Sequence, residues 1–66
     1  MITLYEGIKF RRQATPYVYT LEALKDDTLV LYAYNELNGK GQIVEMSEEY
    51  FNECDKLGCW IEIEEK

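Results

Sequence analysis

Few residues in this sequence are of kinds that do chemistry, and most of those lack the partners they would need. Histidine is absent, which removes the usual general base at neutral pH and any Ser-His or Cys-His pair. Ser47 is the only serine, and it stands where a helix cap is wanted. Cys54 and Cys59 form a C-x4-C pair. Without histidine they offer two soft ligands, too few for a closed zinc site, and disulfide-stapled secreted domains usually carry more cysteines. Free thiols are therefore expected, with no metal and no cofactor. Gly39-Lys40-Gly41 belongs to a hairpin turn, because no P-loop or G-x-G-x-x-G surrounds it. Glu48-Glu49 and Glu62-Glu64-Glu65 suit a helix start and a solvated strand face. Paired acid–base work needs carboxylates in a recess that splits their pKa values, and 66 residues leave little room for one. No catalysis and no small-molecule substrate are expected.

What remains is binding chemistry. Tyr19, Tyr32 and Tyr34 with Ile43 are the material of an amphipathic aromatic patch. Trp60, flanked by alternating apolar and acidic residues, is a second candidate for a protein contact. Lys9, Arg11 and Arg12 make a small basic spot that the acidic C-terminal strand can neutralise. Charge is uneven along the chain. Residues 1–40 carry five basic and five acidic side chains, so the net charge of −6 lies wholly in residues 41–66. That acidity argues against nucleic-acid binding through the backbone, which needs clustered Lys and Arg. It leaves room for an acidic surface that mimics phosphate charge.

The elements that must position these residues read as β, β, β, β, α, β in one domain over residues 1–66. Ile8–Arg12 alternates apolar and basic residues, and residues 13–16 leave it as an extended loop before Pro16. Residues 17–24 and 29–34 are β-branched and aromatic, joined by a polar turn at Asp26-Asp27. Asn38-Gly39 carries the type I′ hairpin signature and leads into residues 42–46. The helix follows, with Ser47 as N-cap, Glu48 and Glu49 in its first turn and Lys56 in its last. Met46 and Phe51 have the spacing of a hydrophobic staple, and Gly58 that of a Schellman end joining Cys54 to Cys59. Tyr50, Phe51, Cys54 and Leu57 form its apolar stripe. Residues 59–64 alternate strictly, so Cys59, Ile61 and Ile63 are expected inward and Trp60 outward.

Two-residue turns would pair Tyr19 with Tyr34, Leu21 with Tyr32 and Leu24 with Leu29. They would also pair Tyr34 with Ile43, Ala33 with Val44 and Leu31 with Met46. One face of the meander is then aliphatic and serves as the core. The other holds Tyr19, Leu21, Val30, Tyr32, Tyr34, Ile43 and Glu45. Leu21 and Leu24 are three apart and cannot both face inward in a regular strand. A bulge near Glu22-Ala23 would bring both in and swap the faces before it.

The run Val18-Tyr19-Thr20-Leu21-Glu22-Ala23-Leu24, an acidic turn, Leu29-Val30-Leu31, a glycine turn, Met46–Phe51 and a closing Gly58-Cys59-Trp60-Ile61 resembles small phage and prophage proteins with an SH3-like barrel. The resemblance spans about residues 8–64 and transfers no active site. It implies a mainly β fold, a small five-stranded antiparallel SH3-like barrel with one short helix before the last strand, and a phage or mobile-element origin.

The function expected from all this is a non-enzymatic protein-binding or adaptor domain. Its site is Tyr19, Tyr32, Tyr34 and Ile43, with Trp60 as the second candidate, and its partner is another protein or its own copy. The alternatives are an acidic inhibitor of a host nucleic-acid-acting defence enzyme and a nucleic-acid-binding barrel that stacks bases on Phe10, Arg11, Arg12 and the tyrosines. No apolar run approaches the ~20 residues that span a bilayer, and no signal peptide is evident, so the expected location is the cytoplasm with no membrane partner.

Overall fold

The computed structural model describes residues 2–63; Glu64 and Glu65 of the acidic stretch lie outside them. Strands β1 (Lys9–Arg12), β2 (Tyr17–Lys25), β3 (Thr28–Asn35) and β4 (Lys40–Ser47) precede helix α1 (Glu48–Lys56), and β5 (Trp60–Ile63) follows it. They form one five-stranded sheet in the order β4-β3-β2-β1-β5, with every neighbouring pair antiparallel. The expected barrel does not close. β4 and β5 are its two edges, because the core is covered by α1 instead, which runs on directly from β4 and buries Phe51 and Cys54.

The bulge lies in β2 between Leu21 and Ala23. Beyond it Leu24 pairs with Leu29 as expected, and before it the register moves by one, so Tyr19 pairs with Ala33 and Val18 with Tyr34. Every side chain before the bulge changes face. Leu21 joins the core with Phe10, Leu29 and Leu31, while Leu24 stays exposed at the end of the sheet.

The first hairpin has the tight two-residue turn expected at Asp26-Asp27, and the second does not have the one expected at Asn38-Gly39. Lys25 pairs with Thr28 across Asp26 (φ 45°) and Asp27 (φ 62°). Positive φ at both central residues is the type I′ geometry. At the glycine turn Asn35 pairs with Lys40, so four residues form the loop and only Gly39 (φ 72°) is left-handed. Asparagine side chains build this longer loop: Asn35 Oδ1 accepts from the Leu37 amide at 2.9 Å and Asn38 Oδ1 from the Lys40 amide at 2.9 Å. The β3–β4 register therefore slips by two, placing Ile43 beside Tyr32 and Val44 beside Leu31. A slip of two keeps each side chain on its face. Residues 13–16 are a tight turn rather than an extended loop, with Ala14 left-handed (φ 64°) and the Thr15 amide bonded to the Arg12 carbonyl at 3.2 Å.

The helix ends follow the sequence. Ser47 Oγ accepts from the Tyr50 amide at 3.1 Å. At the C-terminus Cys59 N–H donates to the Cys54 carbonyl at 2.9 Å and Gly58 N–H to the Asp55 carbonyl at 3.0 Å, with Gly58 at φ 77°. These are the two bonds of a Schellman motif. Of the expected stripe, Phe51 and Cys54 are buried, whereas Tyr50 and Leu57 are exposed.

β5 has the opposite phase to the expected one. Trp60 is only 6% exposed and Ile61 is 49% exposed. Strict alternation fixes that two faces exist but not which is inner. Pairing with β1 decides it, because Arg12 opposes Trp60 and Phe10 opposes Glu62. Beneath α1 the indole fills a space that an isoleucine could not. It stacks on Phe51 (centroids 5.5 Å apart, 12° between planes), meets Phe10 edge-on at 5.2 Å, and donates from Nε1 to the Phe51 carbonyl at 3.1 Å.

Candidate functional site

With α1 on the inner face, the register defines what the other face presents. One row across the sheet runs Ile61, Arg11, Val18, Tyr34, Gly41, from β5 to β4. The next runs Ile63, Lys9, Thr20, Tyr32, Ile43. Ile43 is 59% exposed, and Tyr32 and Tyr34 are each 38% exposed. The tyrosine rings lie down on the sheet. A Cβ placed on Gly41 would overlap the Tyr32 ring and hydroxyl, and one on Gly39 would come within 3.7 Å of the Tyr34 hydroxyl. The missing side chain of Gly41 is thus the space that the Tyr32 ring occupies, an aromatic covering of an edge-strand glycine.

Of the five candidate residues, three share this face: Tyr32, Tyr34 and Ile43. Tyr19 does not. The bulge turns it inward, where it is half-buried, stacks on Phe10 at 5.7 Å and meets Trp60 edge-on at 5.7 Å. Burial pushes its hydroxyl pKa up, and Arg12 pulls the other way. Trp60 is a core residue and leaves the site as well. Ile61 and Val18 belong to the outer face and were missed. Carrying the bulge parity from β2 across to β1 and β5 would have placed both.

The basic spot also divides. Arg11 projects on the outer face and pairs with Glu36 of the β3–β4 loop at 2.6 Å, which holds the Glu36 carboxyl below its usual pKa, chiefly through the hydrogen bond. Arg12 projects on the inner face, its guanidinium 5.2 Å from the Trp60 ring centre and donating to the Tyr50 hydroxyl at 3.2 Å. With Phe10 fully buried and the two arginines on opposite faces, the supposed base-stacking platform has no common surface.

Acidic side chains gather elsewhere, around an open hollow of about 450 Å³ lined by Asp27, Glu48, Glu49, Glu53 and Lys56 among others. Among the described residues no three His, Cys, Asp or Glu side chains are grouped to hold a metal ion. Cys54 and Cys59 are free thiols, the first buried. No helix among the described residues is long and apolar enough to cross a membrane. No family model, no curated protein and no solved structure matches the chain, so its own residues carry the functional argument.

Proposed function

We propose that this chain is a non-enzymatic protein-binding domain whose contact surface is the outer face of its sheet, centred on Tyr32, Tyr34 and Ile43 and extended by Ile61. One observation carries this: the inner face is filled by α1 and its aromatic cluster, while the outer face has no covering element among the described residues and still carries tyrosines and isoleucines. Tyrosines whose rings already lie flat have surrendered most of their rotamer freedom, so ordering them against a partner costs less. The Arg11–Glu36 pair, with Arg11 between Ile61 and Val18 in the row, gives the surface a polar element between Ile61 and the tyrosines.

Charge mimicry by the acidic surface ranks second, supported by the carboxylates around the hollow at the start of α1. Affinity of a purified partner for wild type, Tyr34→Ser and Glu49→Lys/Glu53→Lys at low and high ionic strength separates the two. An aromatic contact is lost with Tyr34→Ser and varies little with salt. Charge mimicry is lost with the lysine pair and weakens steeply as salt rises. Full affinity in Tyr34→Ser removes the outer face from the proposal.

A further inference from the structure

The two edges of the sheet differ. Among the described residues β5 contributes four, whereas β4 contributes eight in an unbroken register with β3, with no proline and no bulge. Among the described residues no element other than β3 hydrogen-bonds the backbone of residues 41–46, and none of these residues is buried. Proteins ordinarily blunt such an edge with proline, a bulge, charged side chains or a covering element; β4 carries charge at Lys40 and Glu45 and none over residues 41–44. Here a long, regular edge is kept, and an extended strand is what satisfies it.

The charges on β4 say which strand. Lys40 stands at its start, and Glu45, Glu48 and Glu49 stand at or just past its end. An antiparallel strand with the same sequence brings plus to minus at both ends. Facing side chains must match across the joint, which requires paired residue numbers with an even sum. A two-fold axis at Ile43 meets this condition. Ile43 then opposes its own copy, Gly41 opposes Glu45, and Lys40 opposes Met46 with Glu48 on the diagonal, so no like charges face each other. The outer faces of the two copies join into one surface on which Tyr32, Ile43 and their symmetry mates are contiguous. Repulsion between two chains of net charge −6 opposes this, but charges beyond about 8 Å are largely screened at physiological salt.

We propose that the free edge of β4 is occupied by a second copy of this chain, paired antiparallel about a two-fold axis at Ile43. The proposal rests on the outer-face reading above and names its occupant. Sedimentation equilibrium of the full chain, carried up to about 1 mM where even weak association registers, tests it. A dimer is expected. Ile43→Asp, which sets two carboxylates against each other at the axis, gives a folded monomer, with circular dichroism like the parent's and a melting temperature that no longer rises with concentration. Lys40→Glu weakens the dimer by roughly three- to tenfold, since two symmetry-related pairs turn repulsive, and Lys40→Glu/Glu48→Lys restores it. Should Ile43→Asp fail to fold, the Lys40 pair of variants decides alone. A monomer at every concentration, an open-ended larger oligomer, or a dimer indifferent to both Ile43→Asp and Lys40→Glu overturns the edge pairing. Tyr34→Ser, away from the edge, tells the two proposals apart. If a dimer or a partner complex is lost with Tyr34→Ser and is indifferent to Lys40→Glu, the outer face stands and the β4 joint falls.

Discussion

The two faces of the sheet are built from similar residues and behave differently. On the inner face Phe10, Tyr19, Phe51 and Trp60 contact one another at centroid separations between 5.2 and 5.7 Å, stacked or edge-on, under the roof of α1. On the outer face Tyr32 and Tyr34 have no ring partner among the described contacts and lie toward glycines of the neighbouring strand and loop. Aromatic character alone therefore does not say whether a ring is core or surface. One inserted residue in β2 and one helix after β4 decide it, the first by choosing which tyrosine turns inward and the second by choosing which face is covered.

Breaking the inner face should have the largest effect. Phe10→Ala removes the ring that meets Tyr19, Phe51 and Trp60, and is expected to cost about 3–5 kcal/mol. That is comparable with the whole stability of a domain this size, so circular dichroism at 25 °C should show most of the chain unfolded. A cooperative fold with a loss below about 1 kcal/mol would mean that the cluster is not the core. Next comes Trp60→Phe, which keeps a ring but removes the indole's donation to the Phe51 carbonyl, a bond beyond the one inside the helix, and part of the buried ring area. A loss of about 1–2 kcal/mol is expected in denaturant titration. In the parent chain Trp60 emission should be blue-shifted and move red on unfolding, and native emission at the wavelength of free indole would return Trp60 to the surface.

The outer face should yield far less. Tyr32→Ser is expected to cost about 1 kcal/mol or less, since the ring is partly exposed and shields only the Gly41 backbone. In a proton spectrum the Gly41 α-protons should be displaced by the ring current and return to ordinary shifts in the variant. A loss near 3 kcal/mol would show that the outer face is packed as the inner one is.

Tyr19 sharpens the contrast through pH. Its folded-state pKa is raised, mainly by burial. The neutral phenol is favoured in the folded chain, so its contribution is fully present below the unfolded tyrosine pKa and is lost as pH rises through the folded one. Ultraviolet titration should therefore show a late-ionising tyrosine that disappears in Tyr19→Phe. Smallest of all is Arg11→Ala. The pair it breaks is fully solvated, so no change in melting temperature is expected, while the Glu36 carboxyl should titrate closer to its ordinary value by NMR.

Much of the scaffold was legible because local chemistry had one answer. Ser47, Gly58 and the Met46–Phe51 spacing defined the helix to its caps. The three-residue gap from Leu21 to Leu24 gave the bulge, although following its consequence for Tyr19 required carrying the parity through the strand. The features that were misjudged depend on distant partners. Trp60 and Ile61 alternate equally well in either phase, and only pairing with Arg12 and Phe10 selects one. Asn38-Gly39 has the stronger type I′ signature, yet its asparagines build a wider loop and the tighter turn falls to Asp26-Asp27. Barrel closure is a property of where β4 and β5 end up, and no local pattern in either strand encodes it. Within the site, Tyr32, Tyr34 and Ile43 shared a face despite a wrong register, because the slip was even. Ile61 was missed because its strand was read alone.

The pairing of β1 with β5 sets a condition on how the molecule assembles. Arg12 lies beside Trp60, and Ile2 N–H donates to the Asp55 carboxylate at 3.1 Å, so the segment from Ile2 to β1 meets α1 and β5. The β2–β3–β4 meander uses neighbours in sequence and can form early. β1 has only one of its two flanking strands until β5 is made, and until then the Phe10 and Phe51 rings, in edge contact with each other, lack the indole that packs on both. Pairing across so long a separation pays more loop-closure entropy than a hairpin does, so it follows the meander. During synthesis the inner face therefore stays open until β5 has left the ribosome, and the sheet and its aromatic cluster are complete only then.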